Sequence, residues 1–590
     1  MIKHIHTILS IYFKLLFPVF LGLMISCALY AQDIEGVGSS LKKIKDAKPV
    51  KVTGGINAGS GFYGISGMPS RRAPFTWAIN GNLNFSVYEK VNIPLSINYT
   101  DNGTAYSAEN PLKKIVSDIV NRTGISPKYK SITLHLGDRS MTFSKYTYAG
   151  LRFFGAGIEW APKNGLVKYS GFYGRFNRRT VRDTINGVLI APAYERLGWG
   201  SKLEFGKERH KYGVILFKAK DQTFDGDILT TSFGLTPQEN LVFGMDTKHK
   251  FGKKISLNFE YTASAYSLDA RSNPFESSGN YNYFNNLGGM FTPGMSTIYN
   301  NAYNGSVQFT EKYYTLGLTY LWVDPTYKSL GAIAAKNDIQ ATTVNSTVTL
   351  FNGKVLMGGN VGTERNNLAN NMALTMKRLI YAGNVTYNAF ENFALTGTYS
   401  NFNHSTSPQM ITKADSIKLV QINHNTSVAA NYSFGKNNFK HAVMAAGTFQ
   451  NVQDIKEIFN QQIMTPNDVT NYLGNYSLTI NDIQLTSAVS MMYNKVDAAG
   501  VVVTSVGPSL NVSKKLMQKK LNVSLISTYL ANEEALAKFA VTNYKLGAQY
   551  KQGKHHALKA EVSLVEKNIT KGEGESFKEI LGKLSYDFNF

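Results

Sequence analysis

The chain has 590 residues, 43% of them hydrophobic and only 17% charged, with a net charge of +22 and 34 Tyr, 34 Phe and 51 Gly. Mean hydropathy is −0.19, and no stretch after residue 31 approaches the roughly 18 continuous apolar residues of a membrane helix, so a helical membrane protein is excluded. A wide β-barrel evades this test, because lipid-facing and lumen-facing side chains alternate and cancel in any window.

The N-terminus carries Lys3 and Lys14, the apolar run Leu15 to Ile25, and small residues at Ala28 and Ala31 before Gln32 and Asp33. This is the plan of a secretory signal, with cleavage expected after Ala31 and Ala28 as second choice. Residues 1–31 are then a signal peptide, 32–50 a short periplasmic segment and 51–590 one barrel domain. The single cysteine, Cys27, leaves with the signal, and disulfides, thiolate metal sites and cysteine nucleophiles leave with it.

The strands follow in order. A glycine-rich opening segment near 51–62 precedes Phe75, Trp77, Ile79, Gly81, Leu83, Phe85 and Val87, which alternate with mostly Thr, Asn and Ser. Ile93, Leu95, Ile97 and Tyr99 return the pattern after a turn at Glu89-Lys90, a period of two that marks a half-buried hairpin. Connection 101–148 is long. Within it, Leu112, Ile115, Val116, Ile119 and Val120 fall at helical spacing before Gly124, and Ile132 to Leu136 is strand-like but read as loop, because one more pass would spoil strand parity. Two readings stand for the apolar face of this helix: it packs on the barrel's inner wall or the following loop, or the loop folds into the lumen as a constriction or gate.

Alternating runs recur at Ile255–Ala263, Tyr314–Trp322, Leu379–Tyr387 and Leu521–Tyr529, each near the 9 to 11 residues that cross a bilayer at a tilt. Short connections such as Lys207-Glu208-Arg209 and Gly553-Lys554 alternate with long ones near 178–194, 221–238, 267–301, 324–338, 403–417 and 451–473. Short turns belong to the periplasm and long loops to the exterior. The count is about 24 antiparallel strands, with 22 to 26 as bounds and the opening strand near 51–62 and the short strand near 474–480 the weakest. The fold class is all-β, a single transmembrane barrel.

The chain ends on Ile580, Gly582, Leu584, Tyr586, Phe588 and Phe590 on one face against Lys583, Ser585, Asp587 and Asn589 on the other. Leu584, Tyr586, Phe588 and Phe590 are expected to serve as the assembly signal read by the barrel-insertion machinery, and the strand to close the sheet against the segment near Val52.

The stretches SPKYKSITLHLGDRSMTFSKYTYAG (126–150), FFGAGIEW (153–160) and VDPTYKSLGA (323–332) resemble a family of Bacteroidota outer-membrane β-barrels that lack a TonB-type plug. The resemblance implies location and fold, and no reaction or ligand. Its motifs fall at loops or loop–strand junctions, where a barrel places its variable chemistry. Tyr129, His135, Arg139, Phe143, Tyr327 and Ser329, with Arg152 and Arg175 as charged exceptions in an otherwise Asn, Ser and Thr lumen, form the candidate functional region. The competing reading is that these side chains hold loops inside the barrel.

Other chemistry is thin. Gly59 to Gly64 matches GxGxxG without the strand-to-helix turn a dinucleotide needs. Asp221, Asp225 and Asp227 lack the closing Glu of a calcium loop. His135, Asp138 and Ser140 are near in sequence, which is no guide to a triad. No catalytic residue, cofactor or metal is expected. The surplus lysines gather in short turns, where phospholipid headgroups or an acidic partner are better ligands than nucleic acid. The expected function is a pore or transport-associated channel; the alternatives are a non-conducting scaffold subunit of an export or assembly complex with envelope protein partners, and an outer-membrane hydrolase.

Overall fold

The computed structural model describes residues 50–590, except 88–90, 102–123, 164, 181–182, 186–187, 191, 224–228, 230–232, 277–280, 282–283, 286–288, 333–335, 373, 409–416 and 459–460. The expected signal peptide, the helical spacing at 112–120, Asp225 and Asp227 lie outside the described residues.

Among the described residues the alternating runs form one antiparallel sheet of 26 strands, counting the interrupted segment Gly124–Ile125 and Lys128–Tyr129 as one, with Asp183–Ile185 and Val188–Ile190 pairing as a separate hairpin. Each strand pairs with its sequence neighbours, and the last, Phe577–Asn589, pairs with the first, Val50–Ser66, from Gly55↔Asn589 to Ser66↔Lys578. The thinnest seam is at Val91–Asp101, which meets the interrupted strand through Leu95↔Ile125, Val91↔Tyr129 and Asn92↔Lys128. One face of each strand is apolar and points outward, as in Leu316, Leu318 and Tyr320 on Tyr314–Val323. The molecule is an antiparallel β-barrel with an apolar outward face, short turns at one rim and longer connections at the other.

Two expectations are corrected. Ile132–Thr142 is a strand, pairing with Ala149–Trp160 from Ile132↔Trp160 to Thr142↔Ala149. Parity survives because the segment broken at Ser126-Pro127 supplies a second pass, and proline removes a ladder donor. Nor is 451–473 a loop: Phe439–Ile458 and Gln461–Ile480 run as a continuous ladder to Ile458↔Gln461.

The barrel is asymmetric. From Ile132 to Arg365 the ladder strands run 10 to 14 residues, whereas between Leu374 and Gly572 most reach 16 to 20. The shorter half is clad on both sides. Inside, the connections 143–148 and 324–332 lie on the wall. Outside, Leu241, Ala263 and Ala265, which share a face with the exposed Met245 and Phe259, are buried beneath Phe284 and Phe291 of connection 268–296. The Lys218 ammonium holds this apron by donating to the Met290 carbonyl.

Candidate functional site

The inner cladding is built from two short connections. In the first, Phe143 N–H donates to the Tyr148 carbonyl at 2.9 Å, and the Ser144 hydroxyl oxygen accepts from Thr147 N–H at 3.0 Å, so a serine side chain does the work of a turn. In the second, Asp324 accepts from Asn301 N–H at 2.6 Å and from the Trp322 indole at 2.8 Å. That carboxylate fixes where the loop leaves the strand Tyr314–Val323.

The two connections lock together. The Tyr327 hydroxyl donates to the Tyr146 carbonyl at 2.7 Å, the Ser329 hydroxyl to the Thr147 carbonyl at 2.6 Å, and Ala149 N–H to the Gly331 carbonyl at 2.9 Å. The wall takes up what remains: Ser264 donates to the Lys328 carbonyl at 2.6 Å, and Leu330 N–H to Asn240 at 3.0 Å. Every polar group named here is paired, as burial requires.

Aromatic packing seals this ledge. Tyr148 stacks on Phe217 with centroids 5.4 Å apart, Phe153 stacks on Phe172 at 4.6 Å, and Tyr146 meets Tyr327 edge-on at 6.3 Å. Met141, Phe143, Tyr148, Phe153, Phe172, Phe217 and Leu330 form one buried cluster. Glycine permits the approach: a Cβ on Gly331 would lie 2.7 Å from the Thr147 carbonyl oxygen, and one on Gly244 2.7 Å from the Thr147 methyl. Burial, with the Glu260 carboxylate second, pushes the Tyr146 phenol up to about 12; burial also raises Tyr148 and Tyr327.

Beneath the ledge sits a charged group. Lys202 contacts Asp246 at 3.1 Å and Glu204 at 3.5 Å, and donates to the Phe143 carbonyl at 3.2 Å. Asp246 and Glu260 stand directly opposite in register, and Glu260 accepts from the Ser144 side chain and the Tyr146 backbone. Like charges opposed across a ladder are unfavourable; Lys202 and the ledge's donors offset the pair.

Across the lumen the wall is hydroxyl and amide, with charges in opposite pairs. Asn475 donates to Ser490 at 2.7 Å, Ser509 and Thr528 share a hydrogen bond at 2.9 Å, and Asn57 donates to Asp587 at 2.6 Å. Lys545 pairs with Glu561 at 2.9 Å and Lys559 with Asp587 at 2.7 Å. The chain thus frames a polar lumen with an aromatic ledge on one side.

No family model and no curated protein matches the chain. Solved structures do resemble it. The P pilus usher (PapC) translocation pore aligns over 91% of this chain and 99% of its own, at 9% identity and a TM-score of 0.37. The ferric enterobactin receptor PfeA of Pseudomonas aeruginosa covers 91% and 80%, at 10% identity and 0.37; OccAB2 of Acinetobacter baumannii covers 65% and 97%, at 9% and 0.27. The likeness is one of fold.

Of the residues singled out from sequence, Phe143, Tyr327 and Ser329 meet in the ledge. His135 lies on the inner wall, bonded to Ser126 at 2.8 Å and 3.6 Å from Glu159; Arg139 shares its face. Tyr129 is at the other end of the barrel, half exposed beside Lys130.

Arg152 and Arg175 are not in the lumen. They share the outward face with Phe154, Ile158 and Tyr173; Arg152 pairs with Asp138 at 2.7 Å and Arg175 covers the Phe154 ring. His135, Asp138 and Ser140 do not converge, since Asp138 turns outward, and Asp221 is taken by Arg196 at 2.7 Å. Leu584 and Tyr586 face outward on the last strand, where Phe588 meets Phe590 at 5.2 Å. Sequence reasoning missed Tyr146, Tyr148, Asn240 and Ser264; the paired tyrosines of Ser144-Lys145-Tyr146-Thr147-Tyr148, too polar for a membrane strand and too aromatic for a free loop, were the available signal.

Proposed function

We propose that this protein is an outer-membrane channel for polar solutes, narrowed from the extracellular side by the interlocked connections 143–148 and 324–332. The carrying observation is the lock itself: loops bonded to each other through Tyr327 and Ser329, and to the inner wall through Ser264 and Asn240, take up lumen space opposite a wall of Asn, Ser and Thr. Such a wall can exchange hydrogen bonds with water and uncharged solutes, while its paired lysines and carboxylates temper ion selectivity. The ledge acts by position and fit, and no covalent step is invoked.

Purified full-length protein in planar bilayers is expected to give discrete conductance steps. A consistently silent barrel overturns the reading. Within it, the chain is delivered by signal cleavage after Ala31, inserted through its last strand, and related to the plugless Bacteroidota barrels that its motifs resemble.

One observation favours a second reading, a scaffold subunit. The apron rests on the outer wall through Phe284 and Phe291 and leaves Phe275 62% and Met295 72% exposed, apolar surface of the kind that marks contact sites. Pull-down in gentle detergent discriminates: recovery of the isolated protein alone removes the scaffold reading.

A further inference from the structure

On the outer wall, remote from the ledge, two cations stand side by side. Arg365, the last residue of Val355–Arg365, is directly opposite Lys377 of Leu374–Phe390. Both belong to the outward rows, since Val361 and Leu379 alternate with them and are exposed. Gln340, next in register to Arg365, receives its guanidinium at 2.6 Å. Among the described residues no carboxylate ion-pairs with either cation; the neighbouring Glu364 faces inward and is held by Arg378 at 2.7 Å.

Like charges directly opposite on one face destabilise a ladder, and near hydrocarbon the repulsion is stronger than in water. An anion between them removes the cost. The two cations overlook a shallow groove of about 450 Å³ whose next row includes Leu379, Asn403 and Ile422.

Height fixes the ligand's source. Leu350, at the other end of its strand, lies ten residues from Gln340; at about 3.3 Å per residue and a tilt of about 40° this is about 25 Å, the height of the apolar band. Below the groove the outward face continues through Val344, Val361 and Val385. The cations therefore sit where headgroups of the outer leaflet begin, above wall that acyl chains cover.

We propose that Arg365 and Lys377 bind the phosphate of an outer-leaflet phosphorylated glycolipid, with acyl chains running down past Leu379. Arg365 supplies directional donors, preset by Gln340, and Lys377 a mobile ammonium.

The test uses delipidated full-length protein titrated with mixed micelles of bisphosphorylated lipid A, in parallel with its dephosphorylated form. Wild type is expected to bind the phosphorylated lipid, and the double variant Arg365→Gln, Lys377→Gln to bind it about tenfold or more weakly, the scale of charge-assisted hydrogen bonds lost. Retention of heat-modifiable mobility verifies that the variant is folded. Equal affinity of variant and wild type, or equal affinity for the dephosphorylated lipid, overturns the proposal. Displacement of lipid by inorganic phosphate at millimolar concentration overturns the lipid assignment in favour of a free anion. A second readout is independent of binding: in lipid-free detergent Lys377→Gln is expected to raise thermal resistance or leave it unchanged, and a fall shows that the lysine serves the fold instead.

Discussion

The Tyr327 hydroxyl spans three elements, donating to the Tyr146 carbonyl and lying 3.2 Å from the Thr262 hydroxyl. Tyr327→Phe keeps the ring against Tyr146 and strands a buried carbonyl, which costs about 1–3 kcal/mol. The expected result is a lower temperature for loss of the heat-modifiable folded form; an unchanged temperature means the carbonyl finds water. Tyr146 adds a pH dependence. Its folded-state value stands above the ordinary 10, near 12, because burial and then Glu260 disfavour the phenolate. A raised value means stability fully present below pH 10 and lost as pH climbs through about 12. Conductance is expected to rise over that alkaline window as the ledge loosens, and the rise should vanish in Tyr146→Phe. At this scale the sequence was legible where chemistry is bulky: Phe143, Tyr327 and Ser329 fell within quoted motifs. Arg152 and Arg175 were misplaced for a physical reason. Near the extracellular rim the outward face leaves hydrocarbon, so a charge there no longer marks the lumen.

The elements were readable wherever lipid imposes alternation, and unreadable where ladders continue beyond it. Asn451, Asp468 and Thr470 lie on outward rows of Phe439–Ile458 and Gln461–Ile480 with Phe449 and Tyr472, yet they are polar because they stand above the membrane. Hydrogen bonding carries the hairpin on without any apolar period to announce it. The strand Ile132–Thr142 was passed over by parity, an argument that cannot separate 24 strands from 26 when a proline-broken segment hides the partner. The ledge turn is the element whose removal tests the channel. Shortening Ser144-Lys145-Tyr146-Thr147 to a two-residue Asn-Gly hairpin deletes the acceptors of Tyr327 and Ser329 and keeps the flanking ladder. Larger conductance steps are expected from the shortened barrel. Steps of wild-type size would place the limiting constriction elsewhere and sink the ledge as its cause.

The whole molecule depends on the joint between its two ends. Gly54 and Phe590 exchange backbone hydrogen bonds at 3.0 Å in both directions, next to the ladder that begins at Gly55↔Asn589. Gly54 adopts φ +142°, and a Cβ there would strike the Asn82 carbonyl oxygen at 2.0 Å, so the glycine-rich opening strand admits this closure where a bulkier residue would not. A closed ladder is what lets strands cross lipid, because an open edge leaves backbone groups unpaired in hydrocarbon. Deleting Phe590 removes both of those bonds and the ring against Phe588, at the point where the last strand must find the first. The expected outcome is normal export with impaired insertion: full-length chain accumulates outside the outer-membrane fraction and lacks heat-modifiable mobility. The companion Phe590→Tyr keeps the backbone bonds and an aromatic ring and should assemble. If the deletion assembles as fully as wild type, the terminal residue is dispensable, and closure is secured by the remaining register from Asn589 to Lys578 alone.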